Sequence, residues 1–221
     1  MGLAFFFKVT MSRDWAVFDL VRSSKNEKNI PVIIDRDTVW QLINSVRTIH
    51  NYTFFLLLYT CGLRSSEALR LKPKDIDAKR MMIRIVMSKG KRTREVPLTT
   101  LTLLKLRAYW LTHRNPDFIF PAVGQNMKGA STANKHMVLS SIQDVLRKAA
   151  QELKLTQRIT PHTFRHCYAT HLLDAGVNIR MVQMFLGHAN IMTTCIYLHV
   201  SKNGMSQAVK IVTDIFGDDN A

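Results

Sequence analysis

The chain has 221 residues, of which 47% are hydrophobic and 21% charged, a balance typical of a globular protein with a buried core. Its net charge of +15 favours nucleic acid as a partner, with an anionic membrane surface or a charge that only maintains solubility as alternatives. No segment approaches the ~20 apolar residues of a membrane span, and three scattered cysteines argue against a disulfide framework or a zinc site, so we expect a cytoplasmic protein.

The first part of the chain is predicted to stand apart from the main domain. Residues 3–11 have the apolar character of the end of a helix, with no preceding segment to pack against. Residues 22–30 are polar and charged and are followed by a proline, which is typical of a linker. We therefore expect residues 1–29 to form a helix end and a linker, and the main domain to begin near Ile30.

Two helices are predicted at the start of the main domain. Asp35 can cap a helix that continues to about Val46, because its carboxylate can accept from the first free backbone N–H groups. A second, apolar helix covers 52–60 and is followed by Gly62. Glycine adopts the left-handed conformation that commonly follows a helix, so the second helix is expected to end there.

A short helix and a hairpin follow. Ser65 or Ser66 would cap the helix, with Glu67 in its first turn, where a carboxylate is favoured. Residues 81–98 change to the two-residue period of strands around a polar centre, which predicts a β-hairpin. Its tip and second strand are densely basic: Lys89, Lys91, Arg92 and Arg94.

The rest of the chain returns to helical periodicity, with one loop that contains glycine and serine. The predicted helices are 100–112, 138–153, 161–175, 178–186 and 190–199, with a tail helix near 205–216; the loop is 121–137. The fold class predicted is mainly α with a small antiparallel β-sheet or hairpin (α+β).

The densest functional signal lies between His162 and Tyr197. His162 and Arg165 are three residues apart near a predicted helix N-terminus, so they share a face where backbone amides and the helix dipole favour an anion. His188 ends another short helix in a Leu-Gly-His sequence, and Tyr197 follows on a helix that Asn190 could cap. A single residue of this kind is usually structural; the combination points to a functional site.

These residues lie in motifs that resemble the tyrosine recombinases, the phage-integrase family. The resemblance covers about Ile30 to Val200, in the family's order and without large insertions. Its motifs are the first arginine motif at 60–71, the hairpin lysine motif at 88–98, the His-x-x-Arg block at 162–176, Leu-Gly-His at 186–188 and the tyrosine motif at 193–200.

The resemblance implies a phosphoryl-transfer site. It places Arg64 and Arg165 on the scissile phosphate of DNA, with His188 helping to hold it, and guanidinium suits this task because it stays charged and can bond two oxygens. Tyr197 would be the nucleophile that leaves a 3′-phosphotyrosine. Lys89 would protonate the departing 5′ oxygen. Because the ester keeps the bond energy, neither ATP nor a metal ion is expected as cofactor.

Other residues take supporting roles in the same reading. His162 would act as acid/base or hydrogen-bond partner near the nucleophile, and Glu67 would orient Arg64. The basic hairpin residues Lys91, Arg92 and Arg94 are expected to contact DNA phosphates, with a solvated charged turn as the alternative. The neighbouring histidines are expected to pack rather than react: His166, His171 and His199.

The resemblance also bears on partners and assembly. Residues 1–29 would be the remnant of the family's DNA-clamping core-binding domain, so we expect weak DNA affinity and cleavage rather than efficient recombination. Residues 201–221 would form a tail helix that docks on a neighbouring protomer in a tetrameric synapse on double-stranded DNA, or folds back on its own domain.

Several functions remain open from the sequence. A type IB topoisomerase uses similar tyrosine chemistry, and a decayed integrase could bind DNA without cutting it. Within the recombinases, the sequence is most similar to integron integrases and Xer-type enzymes, with phage and transposon integrases as the alternative. The target site and the biological role are not readable from the residues.

Overall fold

The computed structural model describes residues 31–86, 93–122, 129–198 and 213–214. The chain divides into two compact units, Met1–Ile30 and Pro31–Ala221. The first unit, with the helix end and linker predicted at 1–29, lies outside the described residues, as do the hairpin tip and nearly all of the predicted tail helix. Within the described ranges, no helix is long and apolar enough to cross a bilayer.

The first two helices form as predicted. Helix α1 (Arg36–Asn44) begins after Asp35, whose carboxylate accepts from the backbone N–H three residues on at 2.9 Å. Helix α2 (Ile49–Cys61) is almost entirely buried and ends at Gly62, which has a φ of 61°. A Cβ at Gly62 would lie 2.3 Å from Cδ1 of Tyr168, so both the backbone conformation and the space require glycine.

The short helix α3 (Ser65–Leu69) starts differently from the prediction. Its N-cap is Arg64, not a serine, because the backbone is still extended at Arg64 and turns helical directly after it. The carboxylate of Glu67 accepts from the Arg64 backbone N–H at 2.8 Å, which satisfies one of the donors at the start of the helix. The same carboxylate therefore fixes the position of Arg64 relative to α3.

The predicted hairpin is present within a three-stranded antiparallel sheet. Strands β2 (Met82–Val86) and β3 (Thr93–Pro97) pair with Ile83 opposite Val96, and both side chains are buried. A two-residue strand β1 (Ile76–Asp77) adds to the other side of β2, giving the order β1-β2-β3. Strand β1 was not predicted, because two residues are too few to show an alternating pattern.

Five helices complete the described fold, and their bounds follow the prediction except at the last. Tyr197 lies in a turn after the last helix, not within the predicted helix 190–199. The N-cap of this helix is Ile191 and not the predicted Asn190, although the Asn190 side chain accepts from the Met192 N–H at 2.9 Å. The helices are α4 (Thr100–Leu111), α5 (Leu139–Glu152), α6 (Pro161–Asp174), α7 (Ile179–Leu186) and α8 (Met192–Cys195). The fold is mainly α with a small antiparallel sheet.

The core is built on α2, which packs against α4 and α6. Phe55 of α2 stacks on Phe164 of α6 with ring centroids 5.3 Å apart, and both rings are buried. Burying a side chain of this size contributes roughly 1.5–3 kcal/mol. A smaller apolar cluster, which includes Tyr168, Leu186 and Tyr197, joins α6, α7 and the turn after α8. These contacts hold the C-terminal helices of the domain against α6.

Candidate active site

Arg165 is the buried centre of the site. Only 1% of the residue is exposed, and its guanidinium donates from Nη1 to the Gly62 carbonyl at 2.7 Å and from Nη2 to the Leu186 carbonyl at 2.6 Å. These carbonyls lie at the C-terminal ends of α2 and α7, where unpaired oxygens and the helix dipole favour a cation. Burial and, to a smaller extent, the charge of Arg64 lower the pKa of Arg165 to about 9, while the charge of Glu67 acts in the opposite direction.

Glu67 joins three arginines. Its carboxylate accepts from Arg64 Nη1 at 2.9 Å and from both Nη atoms of Arg94 at 2.8 and 2.7 Å, and it lies 3.9 Å from Arg165 Nη1. Burial alone would raise the pKa of Glu67, but the hydrogen bonds and charges of these arginines outweigh it and lower the pKa to about 2. Glu67 therefore stays ionised and holds Arg64, whose side chain is 36% exposed, at the surface of the site.

Arg94 requires a correction to its predicted role. We expected it to contact DNA, but its side chain is only 7% exposed. Its Nε donates to the Phe185 carbonyl at 2.7 Å, and its two Nη atoms are paired with Glu67. The guanidinium of Arg94, which lies on β3, is thus bound by a carboxylate of α3 and by a carbonyl near the end of α7. Arg94 fixes the second strand of the hairpin to the arginine site instead of facing solvent.

Tyr197 points into the site rather than into solvent. The residue is 2% exposed, and its Oη lies 2.9 Å from Nδ1 of His166. Burial raises the pKa of the Tyr197 phenol, while the positive charges of Arg165 and Arg64 act in the opposite direction. The hydroxyl is therefore protonated at neutral pH, with two guanidinium groups close enough to favour its ionised form.

His188 links Arg165 to the segment that carries Tyr197. Its Nε2 lies 3.1 Å from Arg165 Nη2, and its Nδ1 lies 2.9 Å from Thr194 Oγ1. Because a guanidinium can only donate, Nε2 must accept, and the proton of the neutral ring is on Nδ1. Burial and the nearby arginines lower the pKa of His188 to about 3, which agrees with a neutral ring.

His162 lies beside the tyrosine contact rather than in it. The residue is exposed, and its ring packs edge-on against His166 with centroids 4.6 Å apart. Partial burial of the ring and the charges of Arg165 and Arg64 lower the pKa of His162. The histidine that contacts the Tyr197 hydroxyl is His166, which we had expected only to pack. Its spacing of four residues from His162 put both on one helix face and was the signal available in the sequence.

The other residues named from the sequence either pack away from the site or lie outside the described ranges. His171 packs as expected, with Nδ1 at 2.9 Å from Tyr59 Oη and Nε2 at 3.1 Å from the Ile34 carbonyl. The remaining residues named from the sequence lie outside the described ranges: Lys89, Lys91, Arg92 and His199. The structure thus brings together Arg64, Glu67, His162, Arg165, His188 and Tyr197 from four separate segments.

Residues 33–204 match the model of the phage integrase family. The chain belongs to the phage integrase family. A tyrosine recombinase of Pseudothermotoga lettingae is 35% identical over 198 residues, which cover 88% of this chain and 65% of that relative. The chain thus spans just under two thirds of that curated relative's length.

Solved structures of other recombinases share the fold of this phage integrase family domain. The crystal structure of XerA recombinase aligns with a TM-score of 0.69 at 24% identity, over 98% of this chain and 74% of that one. XerH bound to its palindromic difH substrate aligns with a TM-score of 0.70 at 23% identity, over 86% of this chain and 55% of that one. At these identities the likeness establishes the fold.

Proposed function

We propose that this domain cuts and rejoins double-stranded DNA in site-specific recombination, through a 3′-phosphotyrosine at Tyr197. The observation that carries the proposal is the buried Tyr197 hydroxyl, on which the charges of Arg165 and Arg64 act, with both guanidinium groups fixed by Glu67 or by helix-end carbonyls. A phenol attacks a phosphodiester only where positive charge stabilises the developing oxyanion. Membership of the phage integrase family supports the same chemistry.

Arg64 and Arg165 would bind the non-bridging oxygens of the scissile phosphate. The Arg165 guanidinium already donates hydrogen bonds to two backbone carbonyls, which fix its position, so little reorganisation is needed when the phosphate binds. Arg64 is partly exposed and is anchored through Nη1. His188 would join them once an arriving anion raises its pKa, because a proton on Nε2 would then turn this acceptor into a donor to the phosphate.

Lys89 is proposed as the general acid that protonates the leaving 5′ oxygen. An alkoxide is a poor leaving group, so cleavage needs a proton at that atom. His162, exposed next to His166, is proposed to hydrogen-bond at the phosphate. The basic residues Lys91 and Arg92 are proposed to contact the DNA backbone, and no ATP or metal ion is required by the balance of the reaction.

The partners proposed are DNA and further copies of the protein. The net charge of +15 favours binding to a polyanion. We further propose a tetrameric synapse in which the tail at 201–221 docks on a neighbouring protomer. We also propose that the protein acts at the nucleoid, in the bacterial cytoplasm.

The test is a trapping experiment with nicked suicide duplexes whose sequence is randomised around the nick. Cleavage releases a short fragment, so the covalent complex accumulates and survives denaturing electrophoresis. We expect an adduct with the wild type and none with Tyr197→Phe, while both proteins retard the same DNA in a native gel. DNA binding without any wild-type adduct would instead support the non-catalytic alternative.

The DNA products of the reaction distinguish a recombinase from a topoisomerase. Supercoiled plasmids that carry two copies of a sequence recovered from the trapped pool are incubated with the protein. Recombination yields exchanged or deleted circles, and a topoisomerase yields only relaxed ones. Relaxation without exchange, at protein concentrations that saturate the DNA, would contradict the recombinase proposal.

A further inference from the structure

His166 contacts the atom of Tyr197 that would react. Its Nδ1 lies 2.9 Å from Tyr197 Oη, with ring centroids 5.6 Å apart and the planes at 50°. Tyr197 is only 2% exposed, so bulk water has little access to the phenol. An imidazole nitrogen at this distance in a site with little water is placed for proton transfer.

Starting from the proposed function, we propose that His166 is a catalytic residue that accepts the phenolic proton of Tyr197 during DNA cleavage. As Oη bonds to phosphorus, its proton passes to Nδ1 of His166, and the bond from phosphorus to the 5′ oxygen breaks. The 5′ oxygen leaves with a proton from the general acid, Lys89. In rejoining, the 5′ hydroxyl attacks phosphorus and gives its proton back to the general acid, while His166 returns its proton to Tyr197 as the phosphotyrosine bond breaks.

The other two histidines of the site are placed for other tasks. His188 has both ring nitrogens within hydrogen-bond distance of other groups, Arg165 and Thr194. His162 is exposed and touches the edge of the His166 ring. Among the described residues, His166 is the histidine with a nitrogen within hydrogen-bond distance of the Tyr197 hydroxyl.

The surroundings of His166 keep its ring neutral before the reaction. The titratable and charged groups that act on it are His162 and Arg165 of its own helix, and Tyr197 faces it from the turn after α8. Burial, followed by the charges of His162 and Arg165, lowers the pKa of His166 to about 4. An imidazolium formed by proton transfer would be stabilised by the phosphate that the arginines bind.

The same helix offers a matched control. His171 of α6 makes the same contact with Tyr59, from Nδ1 to Oη at 2.9 Å, on the side of α6 that packs against α1 and α2. His171→Asn removes a half-buried imidazole from the same helix without touching the proposed nucleophile. It therefore reports how much of any loss comes from weakened packing of α6.

The experiment measures single-turnover cleavage of a nicked suicide duplex by four variants. His166→Asn keeps a hydrogen-bonding atom near the Nδ1 position but cannot take up the proton, and His166→Ala removes both functions. The expected rates are reduced by about 100-fold or more in both variants, because a positioned base contributes roughly 10²–10⁴-fold. His171→Asn should cleave close to the wild-type rate below its melting temperature, and Tyr197→Phe should form no adduct.

Two further readouts separate proton transfer from positioning. Imidazole added to His166→Ala should restore cleavage, and the rate should rise with the concentration of neutral imidazole. Replacement of Tyr197 by a more acidic fluorotyrosine should recover much of the rate lost in His166→Asn, since this phenol loses its proton to water more readily and depends less on a base. A wild-type rate in His166→Asn, or loss in His166→Ala alone, would overturn the proton-acceptor role. An adduct in Tyr197→Phe would instead refute the proposed function itself.

Discussion

Glu67 is the acidic centre of the arginine site, and Glu67→Gln removes its charge while keeping its shape. The pKa of Glu67 falls from 4.5 to about 2 on folding, against the effect of burial, through its hydrogen bonds with Arg94 and Arg64. At about 1.4 kcal/mol per pKa unit, this shift corresponds to roughly 3 kcal/mol of stability at neutral pH. With a side chain only 10% exposed, little of this is screened by solvent.

The sign of the pH dependence follows from the direction of the shift. Because the folded pKa lies below the unfolded one, the stabilisation is complete well above pH 4.5 and is lost as the pH falls through about 2. We expect Glu67→Gln to lower the melting temperature at pH 7 by about 6–12 °C, at roughly 2–4 °C per kcal/mol for a domain of this size. Near pH 3 the difference in unfolding free energy should be about half as large.

The assay is thermal unfolding of both proteins by circular dichroism between pH 7 and pH 3, and the matched control is Glu95→Gln. Glu95 pairs with Arg80 in the same two-bond geometry, at 2.8 and 2.7 Å, but both side chains are well exposed. Exposed pairs contribute little, so this variant should melt close to the wild type at every pH. Equal effects of the two substitutions, or a Glu67→Gln loss that does not change with pH, would refute the reasoning.

Two further substitutions test the local structure of the site by chemical denaturation. A left-handed alanine costs ~1–2 kcal/mol. Gly62→Ala should destabilise the domain by clearly more than this, because its Cβ would overlap a neighbouring ring. Gly129→Ala should cost only the ~1–2 kcal/mol, because Gly129 has a φ of +76° but open space around it. Comparable losses would contradict the steric account. Thr194→Val removes the acceptor of the His188 Nδ1–H and should cost about 1–3 kcal/mol. Thr53→Val should be close to neutral, since Thr53 Oγ1 is buried without a hydrogen-bond partner among the described residues. A larger loss in Thr53→Val than in Thr194→Val would contradict a stabilising hydrogen bond between His188 and Thr194.

Much of this site could be predicted because its residues follow helix-end rules. Gly62 and Gly187 each end a helix in the left-handed conformation, with φ of 61° and 65°, and the carbonyls beside these turns hold Arg165. The glycines are visible in the sequence as helix stops. In the structure Arg64 is the N-cap of α3, Arg165 lies near the start of α6 and Tyr197 lies just after α8.

The errors concern contacts between segments far apart in sequence. Arg94 lies in a run of basic residues that predicts exposure, and only the fold shows that Glu67 and the end of α7 surround its guanidinium. His166 is 31 residues from Tyr197, so its contact depends on how α8 returns against α6. The shortening of α8 to four residues, which leaves Tyr197 in a turn, likewise depends on packing in the smaller apolar cluster.

The central claim is that Tyr197 forms the covalent bond to DNA. The most direct measurement is mass spectrometry of the protein trapped on a nicked duplex, after digestion of both protein and DNA. The account predicts a single modified peptide, with a nucleotide attached through its 3′ phosphate to the Tyr197 oxygen. A nucleotide on any other residue, or one attached through its 5′ phosphate, would contradict it.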